Sequence, residues 1–308
     1  VPELQGANVT VKPMCTFTDS DEGRSHATAM VSILAARGYG VARGAEIINY
    51  GIPDADSVEK GSDCDKGHLD DAINAAVADG VRVLSISLGG GDFAKRSREA
   101  IGGAIARGVV VVVATGNESA EDPADSLASV NGTVGVGASD SSGNFQSFSN
   151  YGKGLAVLAP GDKTVMHLFP SGKLVNAWGT SYATPIVAGF VAVAMQRWPG
   201  ASGNQVVQSL VKTASKGPTG QPLISPNGLD KTDPTQFPDE NPLLDKFPGT
   251  EPSAQTVADY RDGVLGTQSV FDSDSSYVYR GVDAQVALAH PDRSALGTSP
   301  RYHKKKDQ

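Results

Sequence analysis

The run NAWGTSYATP, Asn176 to Pro185, leads straight into IVAGFVAVAMQRW, Ile186 to Trp198, and its reading decides the fold. From Ile186 onward apolar residues fall on every side of a helix, the pattern of a helix enclosed by protein. A serine behind a Gly-Thr turn then sits in the first turn of that buried helix. Backbone N–H groups there lack intrahelical acceptors and the helix dipole favours negative charge, so an oxyanion formed beside Ser181 would be stabilised. Pro185 fits the same placement, since a proline in a first turn removes no helical hydrogen bond. Taken alone, the pattern suits a Ser/Thr cap on a core helix equally well.

Two further segments separate these readings. VVVVVATGNESA, Val109 to Ala120, is a buried-strand run ending in Thr115-Gly116-Asn117. Ligands of an open parallel sheet bind beyond the carboxyl ends of its strands, where the Asn117 amide could donate to an oxyanion; the alternative is a turn asparagine. RSHATAMVSILAA, Arg24 to Ala36, places His26 at the opening of a short apolar helix. A helix N-terminus disfavours imidazolium, so His26 is expected to be neutral and able to accept a proton.

In this order the three segments resemble the subtilisin-like serine proteases. The family's His-Gly-Thr motif appears as His26-Ala27-Thr28, its Gly-Asn oxyanion motif as Gly116-Asn117, and its Gly-Thr-Ser-x-Ala-Thr-Pro motif unbroken as Gly179 to Pro185. LSISLGGG, Leu84 to Gly91, is similar to the family's substrate-binding strand; FSNYGKGLAVLAPG, Phe148 to Gly161, to its run into the nucleophile hairpin. YRGVDAQVAL, Tyr279 to Leu288, resembles its closing strand and helix. The resemblance implies a serine endopeptidase in which Ser181 attacks the scissile carbonyl, His26 carries the proton, and Asn117 with the Ser181 N–H holds the oxyanion. An extended peptide would lie along Gly89, Gly90 and Gly91, its P1 side chain between Ser87-Leu88-Gly89 and Ala114-Thr115-Gly116. A G-x-S-x-G elbow is absent around Ser181 and the histidine precedes the serine, which disfavours an α/β-hydrolase esterase.

The chain departs from the family in three places. Ala27 and Ser25 stand where glycines flank the family's histidine. The orienting aspartate, borne by an Asp-Thr/Ser-Gly motif on the first core strand, is missing: VPELQGANVTV, from Val1, is similar to the turn and strand that follow it. Asp19 and Asp21 lie near His26 without that motif. The expectation is that the segment bearing the aspartate, or a propeptide of the same precursor, is a partner, and that two strands flanking its place are left unpaired. The alternative function is a peptide-binding pseudoenzyme.

Composition agrees with a globular enzyme: of 308 residues 19% are charged and 39% hydrophobic. A net charge of −8 disfavours nucleic-acid partners. The apolar run Ile186 to Met195 is too short to span a bilayer. Cys15 and Cys64 make an even pair that either forms a disulfide or remains as two buried thiols; neither has metal-ligand spacing. His68 and His167 stand outside any motif. No cofactor is implied, and structural calcium, frequent in the family, has no assignable ligands. The resemblance and a disulfide together point to a secreted or cell-surface location.

Helical patterns at Leu69–Ala78 and Ser97–Arg107 each precede a β-rich run, VRVLSISL and VVVVVA. That alternation predicts an α/β fold, a doubly wound, mostly parallel sheet with helices on both faces. TVGVGA (Thr133 to Ala138) and LAVLAP (Leu155 to Pro160) read as further strands, TVMHLFPSGKLVNAW as a hairpin turning at Ser171-Gly172, and NQVVQSLVKTA (Asn204 to Ala214) as a helix. The expected organisation is a protease core over 1–215, a surface insertion or arm over 216–276, a closing strand and helix over 277–290, and a tail over 291–308.

Overall fold

A computed structural model describes residues 1–18, 20–53, 63–64, 68–244 and the backbone of 284–291. The valine run forms β4 (Val110–Ala114), buried along its whole length because both faces of the sheet are covered. Val110 and Val112 pack with α1 (Asp21–Ala35), α4 (Thr180–Arg197) and α5 (Gly203–Thr213) through Met30, Val187, Val191 and Val206. Val111 and Val113 point the other way, to Ile73 of α2 (Leu69–Ala78) and Ile101 of α3 (Lys95–Ala106). Alternation along one strand thus feeds two cores, one on each face.

Around β4 run β1 (Val9–Pro13), β2 (Ala45–Gly51), β3 (Val83–Ile86), β5 (Val134–Ser139) and β6 (Leu155–Pro160). The pairs β1–β2, β3–β4, β4–β5 and β5–β6 are parallel, as predicted. β7 (Thr164–Leu168) and β8 (Lys173–Ala177) form the separate hairpin before α4, turning where Ser171 and Gly172 lie. The stretch after α5 is structured at its start. β9 (Ser215–Lys216) and β10 (Pro222–Leu223) extend the sheet beyond β6, and α6 (Pro226–Lys231) buries Leu229, whose carbonyl accepts from Trp198 Nε1 at 3.3 Å. Residues 216–244 therefore pack on the core; the rest of the expected insertion, residues 292–308 of the expected tail, and Asp19 lie outside the described residues.

One strand corrects an expectation. β11 (Ala284–Pro291) lies between β2 and β3 and is antiparallel to both, with Ala284 opposite Gly51 and Leu288 opposite Val83. β2 and β3 are therefore not left unpaired, because a segment late in the chain satisfies their backbone groups. For the same reason residues 284–288, expected to run from strand into helix, are strand throughout.

Cys15 and Cys64 form a disulfide with Cα atoms 5.5 Å apart, tying the end of β1 to the loop before α2. Among the described residues no helix is long and apolar enough to cross a membrane.

Candidate active site

Ser181 is the second residue of α4, behind Gly179, whose φ of 149° no L side chain adopts readily. The Ser181 amide is thus one of the helix's unpaired N-terminal donors. Thr180, buried between them, locks the neighbouring loop to the helix: its Oγ1 accepts from Gly116 N at 3.2 Å and donates to Asn117 Oδ1 at 3.1 Å. Asn117 Oδ1 also accepts from Thr180 N at 2.8 Å. Because that backbone nitrogen can only donate, the orientation of the Asn117 amide is fixed, and Nδ2 is left to face Gly179, 3.4 Å from where a Cβ on that residue would stand. Asn117 Nδ2 is thereby held against the Gly179 turn that leads into the first turn of α4, where the Ser181 amide lies.

Pro185 needs a correction. Since α4 begins at Thr180, the proline is its sixth residue and does remove a helical hydrogen bond, the one its amide would make to the Ser181 carbonyl. Ser87 supplies the replacement, donating from Oγ to that carbonyl at 2.9 Å. In return Ser181 Oγ donates to the Ser87 carbonyl at 3.1 Å. The nucleophile candidate is thereby clamped to the end of β3 through both its main chain and its hydroxyl.

His26 also sits deeper than expected. α1 starts at Asp21, capped by Ser20 Oγ, so His26 lies in the second turn, away from the helix end. Its neutral state comes from burial, which pushes the imidazole down to about 4. His26 Nδ1 is shut off from solvent and has no hydrogen-bond partner among the described residues. The ring meets Tyr182, the residue after Ser181, edge-on with centroids 5.9 Å apart. No Ser181–His26 hydrogen bond is formed among the described residues, the Ser181 proton being directed to Ser87. Asp21 is exposed and lies 3.8 Å from Arg24, so it serves the helix surface instead of His26.

The two segments expected to bind substrate meet through their backbones. Ser87, Leu88, Ala114 and Thr115 turn buried side chains into the core, while Gly89 and Gly90 face Thr115 and Gly116, with Gly90 N donating to Thr115 O at 3.2 Å. A Cβ on Gly89 would stand 2.6 Å from the Gly116 Cα, a contact between two main chains that no rotamer change relieves.

Three residues of the site escape sequence reasoning. Buried Asn150 ties the loop around Asn117 together: Oδ1 accepts from Glu118 N and Ala120 N at 3.0 and 3.1 Å, and Nδ2 donates to Thr115 O at 3.1 Å. Ser25, seen in the sequence only as a missing glycine, joins the nucleophile hairpin to α1, its Oγ donating to Asp21 O at 2.6 Å and accepting from Phe169 N at 2.8 Å. Glu118 folds its carboxylate back toward Gly90, accepting from Asn117 N at 3.0 Å. Only Asn150 had a sequence signal, its place in FSNYG. His68 and His167 stand apart, next to Asp71 and Glu3 respectively at 2.8 Å. Among the described residues no group of three or more His, Cys, Asp or Glu could hold a metal ion.

Comparison with known proteins gives the same picture. The chain is 33% identical over 201 residues to subtilisin BL of Lederbergia lenta, covering 64% of this chain and 72% of that protein. It is 32% identical over 208 residues to the subtilisin-like serine protease Pen c 1 of Penicillium citrinum, covering 66% of this chain but only 52% of that protein. Among solved structures it is similar to a serine-to-alanine mutant of the protease domain of PatA, with TM-score 0.60, 25% identity and coverage of 74% and 88%. A cold adapted subtilisin-like serine proteinase superposes with TM-score 0.56 at 26% identity, covering 71% and 88%. The model of the subtilase family, Peptidase_S8, matches residues 7–237. With its sheet order, the helix that opens at Thr180-Ser181 and this match over most of its length, the chain belongs to the subtilase family of serine proteases.

Proposed function

We propose that the chain is the catalytic body of a serine endopeptidase acting on extended peptide segments of proteins. The observation that carries this reading is the Asn117 amide, held by Thr180 with Nδ2 against the Gly179 turn, at the start of the helix whose first turn bears the Ser181 N–H and hydroxyl. Attack of Ser181 Oγ on a peptide carbonyl places negative charge on the carbonyl oxygen, and these donors meet it without reorganisation. Neutral, enclosed His26 takes the serine proton and delivers it to the leaving amine. Its Nδ1 lacks an acceptor, so a carboxylate supplied in the whole protein, by a segment of the same precursor, completes the triad and fixes the tautomer. The Ser87 carbonyl now holds the Ser181 proton, so a rotation about the Ser181 χ1 precedes transfer to His26. The disulfide supports a secreted or cell-surface location.

A fluorophosphonate probe tests the assignment on the whole protein. Ser181 is expected to be labelled, and labelling to vanish in Ser181→Ala. Labelling that persists in that variant, or is absent from a wild type that cleaves peptides, refutes it. A peptide-binding pseudoenzyme has less in its favour, because the donor pair serves no purpose in mere binding.

A further inference from the structure

The structure assigns Asn150 as a positioning residue for the oxyanion donor Asn117, an assignment that rests on the endopeptidase reading above.

The loop from Gly116 to Ala120 belongs to no strand or helix, and two of its residues, Gly116 at φ 116° and Ser119 at φ 58°, lie in the left-handed region. A serine does not hold that conformation by itself, so bonds from elsewhere in the fold must fix the loop. They come from one short segment, 148–150. Ser119 N donates to Phe148 O at 2.9 Å, and Asn150 N donates to Gly116 O at 3.0 Å. The Asn150 carboxamide meets the rest. Its Oδ1 accepts from Glu118 N and Ala120 N, while its Nδ2 donates to Thr115 O and, at 2.6 Å, to Glu118 Oε2. That same Glu118 oxygen accepts from Asn117 N at 3.0 Å. Both acceptor and both donor capacities of the side chain are thus used. Every amide from Asn117 to Ala120 ends on residues 148–150, directly or through Glu118.

The holding segment is itself pinned to the sheet. Ser149 Oγ accepts from Ala138 N of β5 at 3.1 Å, and Asn150 is 1% exposed. Asn117 is consequently held from two sides, its side chain by Thr180 at the head of α4 and its main chain by Asn150. An oxyanion donor helps only if it already stands where the charge develops, and a misplacement of about 1 Å can cost about 10²-fold in rate. Asn150→Ala leaves Glu118 N and Ala120 N without their acceptor and frees the Glu118 carboxylate. Asn117 then loses its main-chain anchor while its own carboxamide is untouched.

The test uses the whole protein and the best-cleaved member of a panel of quenched-fluorescent peptides. Asn150→Ala should lower kcat by about 10- to 10²-fold with KM nearly unchanged. In an Asn117→Ala background the same substitution should change kcat by less than about twofold, because the donor it positions is gone. Asn150→Asp keeps the acceptor oxygen, loses both donors and sets a second carboxylate against Glu118; it should behave likewise, and it replaces Asn150→Ala if that variant lacks a cooperative melt. An unchanged kcat, a loss equally large without Asn117, or failure of both variants to fold overturns the proposal. A wild type that cleaves no member of the panel refutes the endopeptidase reading instead, and the positioning is then judged by amide exchange. Faster exchange at Asn117, Glu118 and Ala120 in Asn150→Ala, with Val112 unaffected, upholds it, and unchanged exchange overturns it.

Discussion

Replacing Ser87 by alanine isolates the hydrogen bond that compensates for Pro185. The Ser181 carbonyl has lost its helical donor to the proline and takes the Ser87 hydroxyl at 2.9 Å instead. Ser87→Ala leaves that partly buried acceptor without a donor, a cost of about 1–2 kcal/mol, in the lower part of the usual range because the site is not fully enclosed. Pro185→Ala restores an amide at the position that donates to the same carbonyl. In that background Ser87→Ala should cost about 0.5 kcal/mol, so the pair should couple by roughly 1 kcal/mol. Denaturant unfolding of the wild type, both single variants and the double variant reads this coupling from a thermodynamic cycle. The reasoning is refuted if the two substitutions add to within about 0.3–0.5 kcal/mol, which would mean that the hydroxyl and the proline do not share an acceptor.

Three further outcomes are expected. Asn117→Ala should lower kcat by about 10²–10³ with little change in KM, as is typical of losing one oxyanion donor in this family, and an unchanged kcat would reduce Asn117 to a turn residue. Cys15→Ser with Cys64→Ser opens a loop spanning 49 residues and should cost about 4 kcal/mol in the chain-entropy model, seen as a fall in Tm of about 8–16 °C; a shift within error would show that the loop is already constrained in the unfolded chain. Burial lowers His26 from 6.5 to about 4, so between those values the unfolded chain binds a proton that the native state refuses. Its contribution is complete above the higher value and is lost on acidification toward the lower one, by up to about 1.4 kcal/mol per pH unit. Unfolding free energies measured at about pH 7 and about pH 5 should therefore converge in His26→Gln relative to the wild type; equal pH slopes in the two proteins would contradict it.

Local pattern carried the fold where one segment sufficed to specify it. The range of α2 follows from its amphipathic spacing, β6 from LAVLAP, and the all-apolar α4 from a helix covered on every side. Ser181, His26 and Asn117 were legible because each terminates or interrupts such a segment in a recognisable way. The failures occur where partners are distant in sequence. QVALA reads as a strand, yet nothing in it says that it runs antiparallel between β2 and β3. Whether Pro185 cost a hydrogen bond depended on where α4 begins, and the replacement donor lay in Ser87, 94 residues before the Ser181 carbonyl it serves. The neutrality of His26 was foreseen for the wrong reason, because its burial is a property of packed helices that its own segment does not encode. Asn150 was visible only as part of FSNYG, and the bonds it makes to Thr115, Glu118 and Ala120, like the one from Phe169 to Ser25, join segments far apart in sequence that no spacing announces.

Ser25 also bears on how the cleft can move. Through its one hydroxyl the turn of the nucleophile hairpin, at Phe169, is fastened to the helix that bears His26. The hairpin that leads into α4 and the helix that carries His26 are thereby joined through that one group, so Ser25→Ala should loosen the turn from the helix without altering Ser181, His26 or Asn117. Amide exchange at Phe169 should be slow despite its place in a hairpin turn, and should speed up in that variant.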